Sequence, residues 1–327
     1  MQLKILTAAD VRSCLGMEGA IEAMRTAFTQ ISSGEAVIPD RVALASGGGT
    51  SLFMPGYLPR EGFLAAKVVS VFGDNPKRGL PVIQGVVLVL DSTTGAPLAL
   101  MDGTYLTALR TGAASGLATD LLALADASVL TVFGAGPQAR TQVEAVRAVR
   151  PVREVRLLSR SMSSAEVLAE ELVEELNGVD VRVMDDPNRA VRGAQIVVTA
   201  TDSHEPVFSG VAADPGVHVN AVGAYTPTMR EVDGDFVSRA KVIVDARASV
   251  LSEAGDLVQA IAEDMFSFDD IYAELGEVVA GSVPGREGPE EITLFKSVGN
   301  AAQDVAVACR VLAEAERRGL GSVVELS

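Results

Sequence analysis

Three basic residues of this 327-residue chain stand in apolar or small-residue surroundings. Lys67 interrupts the run Phe63-Leu-Ala-Ala-Lys-Val-Val-Ser-Val-Phe72. Arg110 lies in Thr107-Ala-Leu-Arg-Thr-Gly-Ala-Ala-Ser115, and Arg41 opens a strand-like stretch after Pro39-Asp40. An isolated charge in an apolar setting is costly unless a counter-ion or a ligand anion meets it. Each residue also has an ordinary explanation: lysines guard edge strands against aggregation, and an arginine at a strand start commonly faces water. Taken together, two guanidiniums offer bidentate donors to a carboxylate. A lysine loses its proton more readily on burial, which suits proton transfer near neutral pH. Spacing alone leaves both explanations open for Lys67.

A second set lies in Val129-Leu-Thr-Val-Phe-Gly-Ala-Gly-Pro-Gln-Ala-Arg140, where Gly134, Gly136 and Ala139 occupy the positions of G-x-G-x-x-A between an apolar strand and a helix. The first glycine allows the tight turn, the second lets backbone approach a pyrophosphate, and the small third residue lets helix and strand pack closely. The helix N-terminus adds free N–H groups and a positive dipole. A glycine turn of this kind can serve packing alone, but the strand, helix and further strand around it favour a dinucleotide site. The next strand ends at Leu158-Ser159-Arg160-Ser161 rather than in the acid that accepts both ribose hydroxyls. Hydroxyl donors and a guanidinium suit a 2′-phosphate, so NADP(H) is expected ahead of NAD(H). The plainer explanation is a solvated turn.

Other chemistries find no support. The sequence has no G-x-S-x-G elbow, no paired catalytic carboxylates and no phosphate-transfer lysine motif. Two cysteines, Cys14 and Cys309, lie at opposite ends of the chain and only His204 and His218 accompany them, so no metal site is expected. His204 reads as a solvated loop residue. With 43 acidic against 27 basic residues the net charge is −16, which repels phosphate backbones, so no nucleic-acid partner is expected. No apolar run reaches the ~18 residues of a membrane span, and the first residues do not read as a leader. A cytoplasmic protein is expected.

The elements that must position these residues fall into two patterns. Short strands rich in Val, Leu and Phe fill the first third and read as an antiparallel sheet or partial barrel. From Ala127 strand and helix alternate, which argues a parallel, doubly wound sheet. The chain closes on a helical run from Thr293. The expected fold class is α/β, with a Rossmann-type sheet (residues 119–295) inserted into an α+β substrate-binding and dimerisation domain (residues 1–118 plus 296–327). The glycine turn comes late because the other domain comes first.

These pieces resemble the ornithine cyclodeaminase/μ-crystallin family. Arg41, "SLFMPGY", "AAKVVSVF", "LPVIQGVVLVLD", "LMDGTYLTALRTGAAS", "VFGAGPQA", "TATDSHEPVF", "VNAVGAYTPTMREVD" and "FKSVGNAAQD" match it in order over nearly the whole chain. The resemblance implies that Arg41, Lys67 and Arg110 hold a substrate carboxylate and line the reaction site, and that Thr111 contacts cofactor. It extends the expected cofactor contacts to Pro137, Gln138, Thr201, Val222, Gly223 and Ser297, beside Gly134, Gly136, Ala139, Ser159, Arg160 and Ser161. A homodimer is expected from the resemblance and from the apolar segment Phe63–Asp91.

One position departs from the cyclodeaminase pattern: Tyr225 stands where those enzymes carry an aspartate held to activate water or accept a proton. Tyrosine, with an unperturbed pKa of about 10, is mostly a neutral donor. The expected activity is therefore NAD(P)H-dependent reduction of a small cyclic imino acid such as pyrroline-2-carboxylate, with Lys67, Arg41, Arg110 and Tyr225 in the reaction site. The alternatives are ornithine cyclodeamination, with Asp202 or Glu231 taking over as base, alanine dehydrogenation, and a binding protein that holds NADP(H) and a small ligand without turnover.

Overall fold

The strand-rich first third folds as a meander in which hydrophobic alternation decides what faces inward. A computed structural model describes residues 2–326. It divides into two compact units, residues up to Arg110 together with those from Asn300, and Thr111–Gly299. In the first unit β2 (Val42–Ser46), β3 (Gly49–Leu58), β4 (Phe63–Val71), β5 (Ile83–Asp91) and β6 (Pro97–Asp102) run antiparallel, each to the next. β1 (Gln2–Leu6) joins β6 in parallel, and β15 (Ser322–Glu325) adds to β1 antiparallel, giving the order β15-β1-β6-β5-β4-β3-β2. Helices α1 (Ala8–Cys14), α2 (Met17–Ser32) and α11 (Ala301–Arg318) complete this unit.

Along β4 the period of two buries Ala65, Lys67 and Val69 and leaves their neighbours partly exposed. The side chain of Lys67 thus takes a core position. α11 lies close on β3: a β-carbon on Gly56 would stand 3.0 Å from Ala301 Cβ, so any side chain there would press the helix outward by a few tenths of an ångström. α11 then ends on Gly319, whose φ of 66° is the left-handed geometry a helix stop requires.

The second unit is a parallel sheet of eight strands: β7 (Val129–Phe133), β8 (Glu154–Leu158), β9 (Asp180–Val183), β10 (Ile196–Thr199), β11 (His218–Ala221), β12 (Lys241–Val244), β13 (Ala273–Glu274) and β14 (Thr293–Lys296). Their order, β13-β12-β14-β11-β10-β7-β8-β9, reverses direction at β7, so the switch point lies at the C-terminal ends of β7 and β10. Here belong α4 (Pro137–Val149), α5 (Met162–Glu175), α6 (Pro187–Val191), α7 (Gly234–Val237), α8 (Arg247–Glu253), α9 (Gly255–Ala262) and α10 (Leu275–Val279). α3 (Gly103–Leu122) begins in the first unit and ends in the second. Alternate residues of the buried strands feed separate apolar clusters, Ile196 and Val198 one and Val197 the other.

Residues 293–296 are not the start of the closing helix. They form β14, hydrogen-bonded in parallel to both β11 and β12, and all four are buried. Two ready-made strand partners outweigh the helical period that the apolar spacing suggested.

Candidate active site

In the first unit Lys67 sits at the centre of β4, between Met54 of β3 and Val87 of β5, and is 1% exposed. An edge-strand role is therefore wrong: β4 has a partner on each side. The Lys67 ammonium lies 2.7 Å from Asp304 Oδ2, and Asp304 Oδ1 lies 3.2 Å from Arg110 Nε. Arg110 also donates from Nη1 to Gln303 Oε1 at 2.7 Å. Burial is the chief influence on Lys67 and pushes its pKa down to about 8. Asp304 opposes that fall, while the charges of Arg110 and of Arg41 add to it. Arg41 thus acts on the same ammonium, from a half-buried position just before β2.

One buried carboxylate faces two cations, Lys67 and Arg110, an excess that invites an anion. The first turn of α11 adds uncommitted amide groups. Asn300 and Gln303 are both buried; neither side-chain oxygen nor nitrogen of Asn300 has a hydrogen-bond partner, and neither does Gln303 Nε2. Asn300, Gln303 and Asp304 are spaced to share one helix face. Buried polar groups left open in this way are what a polar ligand or ordered water completes. The arrangement suits a small carboxylate beside a group that can give up a proton.

In the second unit the predicted turn has the expected form. Gly134 takes φ 114°, and a β-carbon there would stand 2.5 Å from Ala200 O. Gly136 is the N-cap residue of α4 with no side-chain cap, and a β-carbon on it would meet nothing within 4 Å. The backbone is therefore open there, with Pro137 in the first turn, Ala139 fully buried against the sheet, and Gln138 Oε1 buried without a partner. This cradle fits a dinucleotide pyrophosphate. Ser161 caps α5 by accepting from Ser164 N, and Ser159 Oγ accepts from Ser161 N. Arg160 donates from Nη2 to both carboxylate oxygens of Asp202, at 2.8 and 3.0 Å.

The loops after β10 and β11 are fixed by Glu231, a residue missed as a structural anchor. It is fully buried and accepts from Thr199 Oγ1, Thr201 N, Thr201 Oγ1, Gly223 N and Ala224 N. Gly223 is obligatory because a β-carbon would strike Thr201 and Glu231. Asp256 takes the backbone N–H groups of Glu231 and Val232 and pairs with Lys296 at 2.7 Å; Lys296 in turn donates to Ala224 O. Burial, then the charge of Asp256, pushes the Glu231 carboxyl up, against the pull of Lys296 and of the bonds from Thr201. Neither rival base is idle, since Glu231 holds five donors and Asp202 holds Arg160.

The remaining predicted residues are placed as follows. Thr111 is buried in α3, Val222 is half-buried beside Gly223, and Ser297 donates to Asp245 Oδ2 at 2.8 Å. Tyr225 is half-buried and packs against the apolar cluster that includes Phe133 and Phe236. His204 is exposed, with Nδ1 2.8 Å from Thr228 O. Sequence reasoning missed Asp304, Gln303 and Asn300, although "GNAAQD" had been matched as a block. It also missed Lys296, whose signal, a lysine closing an apolar strand, is the one that found Lys67. Among the described residues no group of three or more His, Cys, Asp or Glu is placed to hold a metal ion, and no helix is long and apolar enough to cross a membrane.

A doubly wound sheet with a glycine turn at its switch point, interrupting a unit with a buried cation cluster, defines the class: an α/β protein of the dinucleotide-fold type. Residues 1–319 match the ornithine cyclodeaminase/mu-crystallin family, and the chain belongs to it. It is 39% identical to a Δ1-pyrroline-2-carboxylate reductase of Bacillus cereus, over 98% of this chain and 99% of that one. Its fold matches the Thermococcus litoralis Δ1-pyrroline-2-carboxylate reductase in complex with NADH and L-proline, with a TM-score of 0.95, 38% identity, and 98% and 99% of the two chains covered. It also matches an archaeal alanine dehydrogenase dimer with bound NAD, with a TM-score of 0.94, 35% identity and full coverage of both chains.

Proposed function

We propose that this chain is a nicotinamide-dependent reductase of small cyclic α-imino acids of the pyrroline-2-carboxylate type, giving the L-amino acid. The observation that carries the proposal is the buried cation cluster: Lys67 and Arg110 share the single carboxylate of Asp304. A substrate carboxylate entering here completes the charge balance, held by Arg110 and Arg41 through paired N–H donors. Fixing the substrate this way removes much of the orientational cost of reaction. Lys67, with its pKa lowered to about 8, is largely protonated at neutral pH yet yields its proton readily to the imine nitrogen. A reduced nicotinamide, if held at the glycine turn, would supply a hydride, and with the proton from Lys67 that would convert C=N to CH–NH.

Gly134, Gly136, Pro137, Gln138 and Ala139 would hold the pyrophosphate, and Ser159, Arg160 and Ser161 the adenosine end. Thr201, Val222 and Gly223, anchored by Glu231, would line the rest of the cofactor, together with Thr111 and Ser297. Arg160 supports NADP(H) ahead of NAD(H), both being accepted. In this reading Tyr225 accepts no proton. The named relatives, two of them pyrroline-2-carboxylate reductases, support this reading. The alanine dehydrogenase makes an open-chain imine the alternative substrate.

We also propose a homodimer formed through the first unit. Val42 and Leu44 of β2 are more than half exposed, and Phe53 and Val86 lie on the same sheet at 39% and 42%. Apolar surface of that kind favours a partner. A monomeric mass by light scattering at micromolar concentration would count against it. The activity itself is tested by following NADPH and NADH absorbance with pyrroline-2-carboxylate, its six-membered homologue, and pyruvate with ammonia. Loss of absorbance with the cyclic imines is expected, and its absence overturns the proposal.

A further inference from the structure

The turn that lacks an acid at the end of β8 receives one from elsewhere. Arg160 stands two residues beyond β8 and Asp202 three beyond β10. β7 lies between those strands. The pair therefore reaches across the C-terminal end of β7, over the opening of the Gly134–Gly136 turn. Both Asp202 oxygens engage one guanidinium nitrogen, and the two side chains are 83% and 74% exposed. An ion pair so exposed is weak and readily traded for another partner. The end of the second strand is where a doubly wound fold reads the adenosine ribose, an acid there taking the hydroxyls and an arginine taking a 2′-phosphate. Here both groups are present, joined to each other.

We propose that Asp202 is a specificity-determining residue that stands in for the missing acid and sets the balance between the two dinucleotides. This rests on the reading of the glycine turn as a dinucleotide site. With NAD(H), the Asp202 carboxylate accepts from the ribose hydroxyls while Arg160 stays paired. With NADP(H), the 2′-phosphate takes Arg160 away from Asp202 and meets the repulsion of that carboxylate. Asp202 thus favours NAD(H) and restrains the preference that Arg160 creates.

The test is titration of the purified full chain with NADPH and with NADH, followed by nicotinamide fluorescence, for wild type, Asp202→Asn, Asp202→Ala and Arg160→Ala. Exposed positions make loss of folding an unimportant outcome. Both Asp202 variants should shift the ratio of the two dissociation constants about tenfold toward NADPH, the scale of one charge-assisted hydrogen bond. Arg160→Ala should shift it about tenfold toward NADH. A ratio that stays within about twofold of wild type in the Asp202 variants, or equal weakening of both dinucleotides, overturns the role of Asp202 while leaving the dinucleotide site standing. Binding of neither dinucleotide by wild type overturns the site and the inference together.

Discussion

Each unit buries a lysine against an aspartate at 2.7 Å, Lys67 with Asp304 in the first and Lys296 with Asp256 in the second. The lysines both sit in apolar strands, and the aspartates both lie in helices. What differs is the remainder. Around Lys67 the excess charge is positive and amide groups of Asn300 and Gln303 stay open. Around Lys296 the excess is negative, and Glu231 is fully supplied with backbone and hydroxyl donors. A buried ion pair is therefore no mark of function by itself. The sign of the surplus charge and the groups left unsatisfied separate a ligand site from a brace.

The sharpest break of that comparison is to remove each lysine in turn. Lys67→Met should lower kcat at least about 100-fold, the range of lost general acid catalysis, with dinucleotide affinity retained. Lys296→Met should instead cost about 3–5 kcal/mol of stability, because it leaves buried carboxylates uncompensated. Near-normal turnover in the first variant, or an unchanged denaturation midpoint in the second, would erase the distinction.

Asp304→Asn tests the carboxylate that Lys67 and Arg110 share. Asp304 holds the Lys67 pKa up, so its loss should move the alkaline limb of the kcat/KM profile down by about one pH unit. A merely structural role would lower activity without moving that limb.

In wild type the limb itself should lie near pH 8. Lys67 carries its proton below about 8 and loses it above, so kcat/KM for reduction should fall about tenfold per pH unit beyond that point. Stability should respond in the opposite sense. The folded pKa of about 8 lies below the ordinary value of 10.5, so the unfolded chain binds more protons between the two and the folded state gains as pH rises through that window.

The smallest effect concerns Tyr225. Tyr225→Phe should change imine reduction by less than about threefold, since the proposed reaction asks no proton transfer of Tyr225. Incubation with ornithine and catalytic NAD should release negligible ammonia; steady proline formation would return the chain to the cyclodeaminases.

What the sequence made legible were breaks in a pattern. Lys67 interrupts a period of two, and Gly134 and Gly136 mark a turn whose geometry few other residues permit, so both stand out in one dimension. β14 did not, because Thr293-Leu-Phe-Lys296 is too short to show a period of its own and its strand partners lie far along the chain. Asp304, Gln303 and Asn300 look like the polar start of any helix; their meaning appears only once α11 is laid on β4. The pairing of Arg160 with Asp202 joins residues 42 positions apart and left no trace in spacing. Glu231 stood in a matched segment, but its five donors come from loops that only the sheet brings together.

The first unit is made of two separated stretches of chain, and this has a consequence for synthesis. Asp304 is added 194 residues after Arg110 (304 minus 110), with the whole of the second unit between them. At roughly 5–20 residues per second, about 10–40 s pass in which Lys67 and Arg110 have no carboxylate to pair with. The contiguous second unit can fold as it emerges, whereas β4 waits for α11. Until the last helix leaves the ribosome, the strands of the meander expose a buried-type lysine and an unfilled apolar face, and it is this interval in which the nascent chain most needs protection from its neighbours.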